Sequence, residues 1–378
     1  MGSVASIGNS SRRIRPTDSC KVTVMTGAYK DLVDRLEEER CLSATDGYRR
    51  LLAPDASPED IAYLHDAARR VARAVFGGKI YARALIEITN RCRNNCLYCG
   101  LRRDNSSLSR YSLDTSTIVE CCGKAYEAGF RTFVLQGGED PAATVESICS
   151  MVAQVHGLFP DAAITLSLGE WPDAAYAAFY EAGATRYLLR HETRNPYHYS
   201  RLHPPGMSLD NRLRCLETLK QLGYQTGTGI MVGSPFQTYC EIAEDLEYMA
   251  ALHPEMIGIG PFIPHSATPF SGFPSGSVDM TLRLISILRL MFPNANIPST
   301  TALATVGKEG RVKGILAGAN VVMPNASPPE GRESYSLYNG KMCRGREAIE
   351  GLDALKRELA GAGYELSFEK GDFNYQYV

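Results

Sequence analysis

Short apolar runs rich in β-branched residues recur along most of this chain, separated by longer amphipathic stretches. The runs are ALIEIT (84–89), TFVLQ (132–136), AITLSL (163–168), RYLLRHE (186–192), TGTGIMVG (226–233), MIGIGPF (256–262), IPSTTAL (297–303) and ANVVMP (319–324). Runs of this length and make-up read as strands. Between them, STIVECCGKAYEAG (116–129), PDAAYAAFYEAG (172–183) and SLDNRLRCLETLKQLG (208–223) carry apolar residues at helical spacing and end in glycine, as helix C-termini often do. Eight such runs, each followed by a helical stretch, predict an α/β protein built as a (β/α)8 TIM barrel. Periodicity alone leaves an open doubly wound sheet as the alternative, and the count of eight favours the barrel.

The flanks read differently. Residues 1–27 read as a flexible tail. Residues 28–78 read as N-terminal helices, because PEDIAYLHDAARRVARAVFGG (58–78) has helical periodicity, an acidic first turn and a Gly pair as its stop. The barrel is expected over 79–330, with 331–378 as a C-terminal extension closing it. No Pro/Ser/Gly linker divides these parts, so one catalytic domain is expected.

Composition narrows the function. The 378 residues are 44% apolar and 22% charged, with a formal net charge of −2. That balance gives no electrostatic reason to expect nucleic acid or an anionic membrane as partner. No apolar run approaches the roughly 18 residues a membrane span needs. The N-terminus lacks the apolar core of a signal peptide, and Gly2 with Ser6 fits only a bare myristoylation pattern. Eleven cysteines, an odd number without an export signal, point to reduced thiols, some of them ligating metal. The expected location is the cytoplasm or another reducing soluble compartment.

The segment EITNRCRNNCLYCG places Cys92, Cys96 and Cys99 in a C-x3-C-x2-C pattern just after the first run. Thiolates are soft ligands suited to iron–sulfur clusters, zinc or Cu(I). An electron-transfer 4Fe–4S cluster takes four cysteines; three leave one iron open to an external ligand. Structural zinc would want a second ligand pair close by, and the histidines are scattered. Three buried cysteines acting as small hydrophobes fit poorly beside Arg91, Arg93, Asn94 and Asn95.

In a TIM barrel, function sits where strands end. The second run ends in Gln136-Gly137-Gly138-Glu139-Asp140, where paired glycines either make a turn or let a ligand approach the backbone. The third offers Thr165 and Ser167. The fourth ends in Arg190-His191-Glu192-Thr193. Residues two apart on a strand share a side, so Arg190 and Glu192 form either a ligand grip or a rim ion pair. Arg212 is a carboxylate fork or a solvated helix residue. Met231, Thr300, Thr301 and Met323 end the later runs. The remaining cysteines, Cys121, Cys122, Cys149, Cys215 and Cys240 among them, read as packing.

The C-x3-C-x2-C loop after a first barrel strand resembles the radical SAM superfamily, which binds S-adenosylmethionine (SAM) at a 4Fe–4S cluster. CLYCGLRRDN (96–105), LSLGEWP (166–172), YLLRHETRNP (187–196), GIGPFIPH (258–265), IPSTTA (297–302) and GANVVMPN (318–325) resemble its HydE family, over about 45–343. That family matures FeFe-hydrogenase and is related to methylornithine synthase and, more distantly, biotin synthase. The resemblance implies that Cys92, Cys96 and Cys99 hold the cluster and that SAM is cleaved reductively to a 5′-deoxyadenosyl radical. It implies that Tyr98, Gln136, Gly138, Glu192, Arg212 and Met231 line SAM. Arg190, Thr165, Thr300, Thr301 and Met323 would face a substrate cavity, and Tyr335 and Tyr338 would close its mouth. The implied substrate is a small organometallic iron species. The implied partners are the other hydrogenase maturation proteins and an external electron donor. Some relatives carry an auxiliary cluster on C-x7-C-x2-C near the C-terminus. Here Cys343 stands alone, with Gly351 and Ala354 in the other two places, so one cluster is expected. A mutase resembling methylornithine synthase, a catalytically silent cluster carrier and a zinc domain are the competing readings.

Overall fold

The computed structural model describes residues 29–42, 45–307 and 309–375; the expected tail over 1–27 lies outside the described residues. The strands are β1 (Lys79–Ala82), β2 (Ala84–Thr89), β3 (Thr132–Gly137), β4 (Ala163–Ser167), β5 (Arg186–Leu188), β6 (Gln225–Thr228), β7 (Met231–Val232), β8 (Met256–Ile257), β9 (Gly260–Pro261), β10 (Val321–Val322) and β11 (Glu365–Ser367). β2-β3-β4-β5-β6-β8 pair in that order, all parallel.

The ring closes through shorter contacts. Asn296 bridges Met256, Pro298 bridges Val321, β10 pairs with β1, and Asn325 bridges Leu85. Hydrogen bonds cross each seam: Ile257 N–H to the Asn296 carbonyl (3.0 Å), Ser299 N–H to Val321 (2.9 Å) and Leu85 N–H to Pro324 (3.0 Å). A closed parallel ring separates the barrel from the open sheet.

The run 297–303 differs from the strand expected of it. It makes only single bridges, and the helix Thr301–Val306 begins inside it, capped by Thr300. Pro298 has no N–H to give a ladder, and threonine oxygens readily cap helices. The runs 226–233 and 256–262 each break in two, because their backbones touch where they pass: a Cβ on Gly229 would lie 2.0 Å from the Gly258 carbonyl oxygen. β1 and β11 are too short to stand out in the sequence pattern.

Alternation along the strands sorts the residues. Ile86, Ile88, Phe133, Leu135, Ile164, Leu166, Tyr187 and Leu189 face out and pack on the helices Thr115–Glu127, Val145–Leu158, Asp173–Glu181 and Leu209–Gln221. Glu87, Gln136, Thr165, Ser167 and Arg190 take the alternate, inward positions. The helix Pro58–Phe76 starts where the Ser57 oxygen accepts the Asp60 N–H and stops at Gly77 (φ 63°). With Tyr29–Glu39 and Thr45–Leu52 it covers the helix Val278–Met291 on the opposite side. The N-terminal end of the barrel is plugged by the chain's last described turn: buried Arg186 donates to the Lys370 carbonyl (3.0 Å) and to the Asp372 carboxylate (2.7 Å). No helix among the described residues is long and apolar enough to cross a membrane.

Candidate active site

The cysteine loop leaves the barrel mouth directly after β2. A loop without a ladder must satisfy its own backbone. Arg110 supplies much of this, donating to the carbonyls of Asn90 (2.6 Å), Leu101 (2.8 Å), Arg102 (2.6 Å) and Asn105 (3.1 Å). The buried Asn90 amide donates to Ser109 and Ser334 (2.7 and 2.8 Å) and accepts the Tyr111 N–H (2.7 Å). Neither residue drew notice in the sequence, because a polar side chain that serves only backbone carbonyls has no motif.

Inside the loop, Cys92, Cys96 and Cys99 are free, partly exposed thiols. They lie near enough for the charge of one to act on another. Burial pushes all three thiols upward, Cys99 to about 12. Among the described residues, no three His, Cys, Asp or Glu side chains converge as a single metal ion would require. Zinc would draw its thiolates to roughly 3.8 Å from each other, given Zn–S bonds of about 2.3 Å. Three soft thiols on one short loop suit an iron–sulfur cluster. Gly100, beside Cys99, has no room for a side chain: a Cβ would lie 2.0 Å from the Ser336 carbonyl oxygen and 2.6 Å from the His265 ring.

The strand ends meet this loop. A Cβ on Gly138 would lie 2.3 Å from the Arg91 carbonyl oxygen and 2.8 Å from the Cys92 Cβ. Glu139 pairs with Arg93 (2.9 Å) and accepts the Glu170 N–H (3.0 Å). Glu170, unassigned in the sequence, takes Arg212 Nε on one oxygen and Asn211 Nδ2 on the other, each at 2.5 Å. Arg212 is buried, not on a solvated face, and its Nη1 donates to the Arg190 carbonyl (2.6 Å). Arg190 and Glu192 do turn to the same side and pair at 2.7 Å. They do so beyond the end of β5, because Glu192 holds a left-handed backbone (φ 66°), which is uncommon for a residue other than glycine.

Tyr98 and Met231 share an apolar cluster with Leu202, Phe262 and Phe270. His203, another residue without a sequence signal, lies edge-to-face on Tyr98, with ring centroids 5.5 Å apart. Its Nδ1 lies 3.0 Å from the Tyr199 carbonyl, which can only accept, so Nδ1 carries the proton. Nε2 then accepts from the Tyr98 hydroxyl at 3.3 Å. Burial, and then the Arg212 charge, push His203 down to about 3, so it stays neutral near pH 7.

Within the barrel mouth, Gln136, Leu188, Arg190, Thr300 and Met323 are part-exposed although Gln136 and Leu188 sit on inward strand faces, which marks open space. Thr165 Oγ1 and Arg190 Nε are buried without a hydrogen-bond partner. Thr300 caps its helix by accepting the Leu303 N–H, and a Cβ on Gly260 would lie 2.7 Å from its Oγ1. The Thr301 hydroxyl is committed elsewhere, donating to Glu347 at 2.8 Å. The segment 334–341 crosses the mouth. Its Leu337 carbonyl accepts the Gly100 N–H (2.9 Å), the Asn339 N–H donates to Pro264 (3.2 Å), and the Tyr335 hydroxyl accepts from Gln136 Nε2 (3.2 Å). Tyr338 is half-buried in the same segment, its hydroxyl pushed up by burial. Lys341 reaches inside to Glu87. A carboxylate in the middle of an apolar run, ALIEIT, was the available clue to Glu87.

The Radical SAM superfamily profile matches residues 86–249. The chain is 46% identical over 280 residues to the FeFe hydrogenase maturase subunit HydE of Thermotoga maritima, covering 74% of this chain and 80% of that protein. The chain belongs to the HydE family of radical SAM enzymes. Its similarity to 3-methylornithine synthase of Methanosarcina barkeri is lower, 32% over 300 residues, covering 78% of this chain and 83% of that one. The crystal structure of methylornithine synthase (PylB) superimposes with a TM-score of 0.77 at 28% identity, covering 89% of this chain and 97% of that one. The hydrogenase maturase HydG shares the fold at a TM-score of 0.78 and 18% identity, over 91% and 77% of the two chains. Membership of this family implies a 4Fe–4S cluster and SAM. In a HydE-family chain, the loop carrying the free thiols, the Gly138 approach and the Arg190–Glu192 turn all stand at one end of one barrel.

Proposed function

We propose that this radical SAM enzyme acts in FeFe-hydrogenase maturation, in assembly of the diiron subcluster, on a small organometallic iron substrate held inside the barrel. The identity to HydE is the observation that carries this reading, because it exceeds the identity to methylornithine synthase by a wide margin over a similar length. Cys92, Cys96 and Cys99 would bind one 4Fe–4S cluster, and Cys343, without partners at Gly351 and Ala354, would bind none. When bound, cluster and SAM supply reductive cleavage to a 5′-deoxyadenosyl radical; the protein supplies position and exclusion of water.

Tyr98 and Met231 would cover the adenine with the apolar surface they share with Phe262. Gln136, Gly138, Glu192 and Arg212 would hold the polar parts of SAM, with Glu170 fixing the arginine fork. Arg190 Nε and Thr165 Oγ1, buried without hydrogen-bond partners, would serve cyanide or carboxylate groups of a substrate. Met323, Thr300 and Thr301 would complete its wall, and Tyr335 and Tyr338 its mouth. In domain terms, helices 28–78 brace the barrel 79–330, and 331–378 closes it. The partners in this reading are an external electron donor and the other maturation proteins.

The test is anaerobic reconstitution with iron and sulfide, reduction, and addition of SAM. Release of 5′-deoxyadenosine is expected; full iron without it would end the radical enzyme reading. Restoration of hydrogenase activity in a maturation system lacking HydE then separates the maturase from a methylornithine synthase-like mutase.

A further inference from the structure

The turn that carries Arg190 and Glu192 is gripped from behind by two residues that touch neither the cysteine loop nor the cavity. His191, between them, points the opposite way and is fully buried. Its Nδ1 lies 2.8 Å from Thr228 Oγ1, and its own N–H donates to the same oxygen at 3.3 Å. On the far side of the ring, Nε2 lies 3.4 Å from the Asp245 carboxylate, also fully buried. The same carboxylate oxygen accepts the Arg194 N–H at 2.5 Å. Asp245 therefore fastens the backbone at position 194 by a hydrogen bond and faces the His191 ring at 3.4 Å, without a hydrogen bond to it, so that it stands against the chain on both sides of Glu192. The Glu192 N–H is meanwhile donated to the Gly229 carbonyl at 3.1 Å.

These contacts act on a residue whose backbone is left-handed at φ 66°. A non-glycine residue stays in that region only where its surroundings over-determine it. The regular strand has ended at Leu188, and residue 192 is tied to its neighbour by an isolated parallel bridge to Ile230 instead of a continuous ladder. Released, the segment would relax toward an extended backbone and swing the Glu192 carboxylate away from Arg190 and the cysteine loop. We propose that His191 and Asp245 are positioning residues, a clamp that holds Glu192 in the left-handed turn from which it reaches SAM. This rests on the reading above, in which Glu192 binds SAM.

The experiment uses full-length protein, reconstituted anaerobically, with iron and acid-labile sulfide counted before each measurement. SAM is titrated into the reduced protein, and the change in the cluster's EPR signal gives a dissociation constant. His191→Ala is expected to keep its cluster and weaken SAM binding by about tenfold or more, since small misplacements of a positioned group have effects of that order and above. Asp245→Asn, which keeps the shape, is expected to weaken it less. His191→Gln, with an amide able to reach Asp245, is expected to recover part of the loss, which a mere packing role would not do. Wild-type affinity in His191→Ala with a full cluster would overturn the clamp. So would a His191→Ala that fails to fold while Asp245→Asn and Thr228→Val bind SAM as wild type does. If SAM leaves the wild-type signal unchanged, the SAM site itself is wrong, an outcome distinct from failure of the clamp.

Discussion

Lys341 Nζ lies 2.6 Å from the Glu87 carboxylate, joining residues 254 positions apart inside the barrel mouth. The second carboxylate oxygen accepts from Asn325 Nδ2 at 2.8 Å, and the lysine also sits over the Tyr335 ring, 5.2 Å from its centroid. Both side chains of the pair are nearly or fully buried. Burial pushes the Glu87 carboxyl up, against the pull of Lys341. Removing one partner of a buried pair strands the other charge, at about 3–5 kcal/mol.

Lys341→Met should therefore destabilise the fold strongly at neutral pH, with a sign that pH reveals. With the lysine gone, the folded-state pKa of Glu87 rises further above its unfolded value. A raised carboxyl contributes most stability when protonated, below its unfolded pKa, and loses it as pH climbs through the folded value. The deficit of the variant against wild type should grow between about pH 5 and pH 8, read from urea midpoints. Pairing it with Glu87→Gln should recover much of the loss. A deficit independent of pH would show that packing, not the charge, is what the lysine provides.

Arg110 makes a second prediction, about the cysteine loop. Its fork answers carbonyls on either side of the three thiols, from Asn90 to Asn105. Residues that orient ligands from behind typically change metal affinity by about 10–100-fold. Arg110→Met should keep the barrel's circular dichroism but bind its iron at least about tenfold more weakly against a competing chelator. Arg110→Lys should rescue little, since an ammonium cannot span these diverging carbonyls. Iron retention equal to wild type in both would remove Arg110 from this role.

Arg190 and Arg212 lie within one network yet should fail differently. Arg212 is oriented through Nε by Glu170 and through Nη1 by the Arg190 carbonyl, whereas Arg190 keeps a buried, unpartnered Nε. Arg190→Ala should leave SAM cleavage in place while substrate turnover falls by about a hundredfold, the scale of lost positioning. Counting 5′-deoxyadenosine against product checks this. Loss of SAM binding instead would move Arg190 from the substrate to the cofactor.

What the sequence made legible follows from how each feature is encoded. The barrel was readable because outward residues such as Ile86, Leu135 and Leu166 recur in runs, and the thiol triad because its spacing is local. The weak closure at Asn296 and Pro298 was hidden: threonines that look β-branched enough for a strand there cap a helix instead. Glu170, His203, Asp245 and Lys341 were hidden for a different reason. Each acts on a residue far away in sequence, and such contacts exist only once the ring has closed. Arg212 looked like surface because a buried guanidinium leaves no periodic trace when a single carboxylate answers it.

Gly100 gives the last prediction, since it joins the cysteine loop to the segment over the mouth. Its N–H donates to the Leu337 carbonyl at 2.9 Å, and a Cβ there would stand 2.0 Å from the Ser336 carbonyl oxygen. Backbone cannot yield as a flexible side chain can, so Gly100→Ala must displace residues 336–337 or the loop behind Cys99. The segment is the more weakly held, because its anchors are single hydrogen bonds such as His265 to Ser336 (3.1 Å) and Asn339 N–H to Pro264 (3.2 Å). The variant should therefore keep its iron while the segment opens, with faster protease cleavage near 334–344 and greater oxygen sensitivity of the reconstituted cluster. Tm should fall modestly, by the few degrees expected for a change of about 1 kcal/mol in a chain this long. Loss of iron with the segment still protected would mean that the cysteine loop, not the cover, gives way.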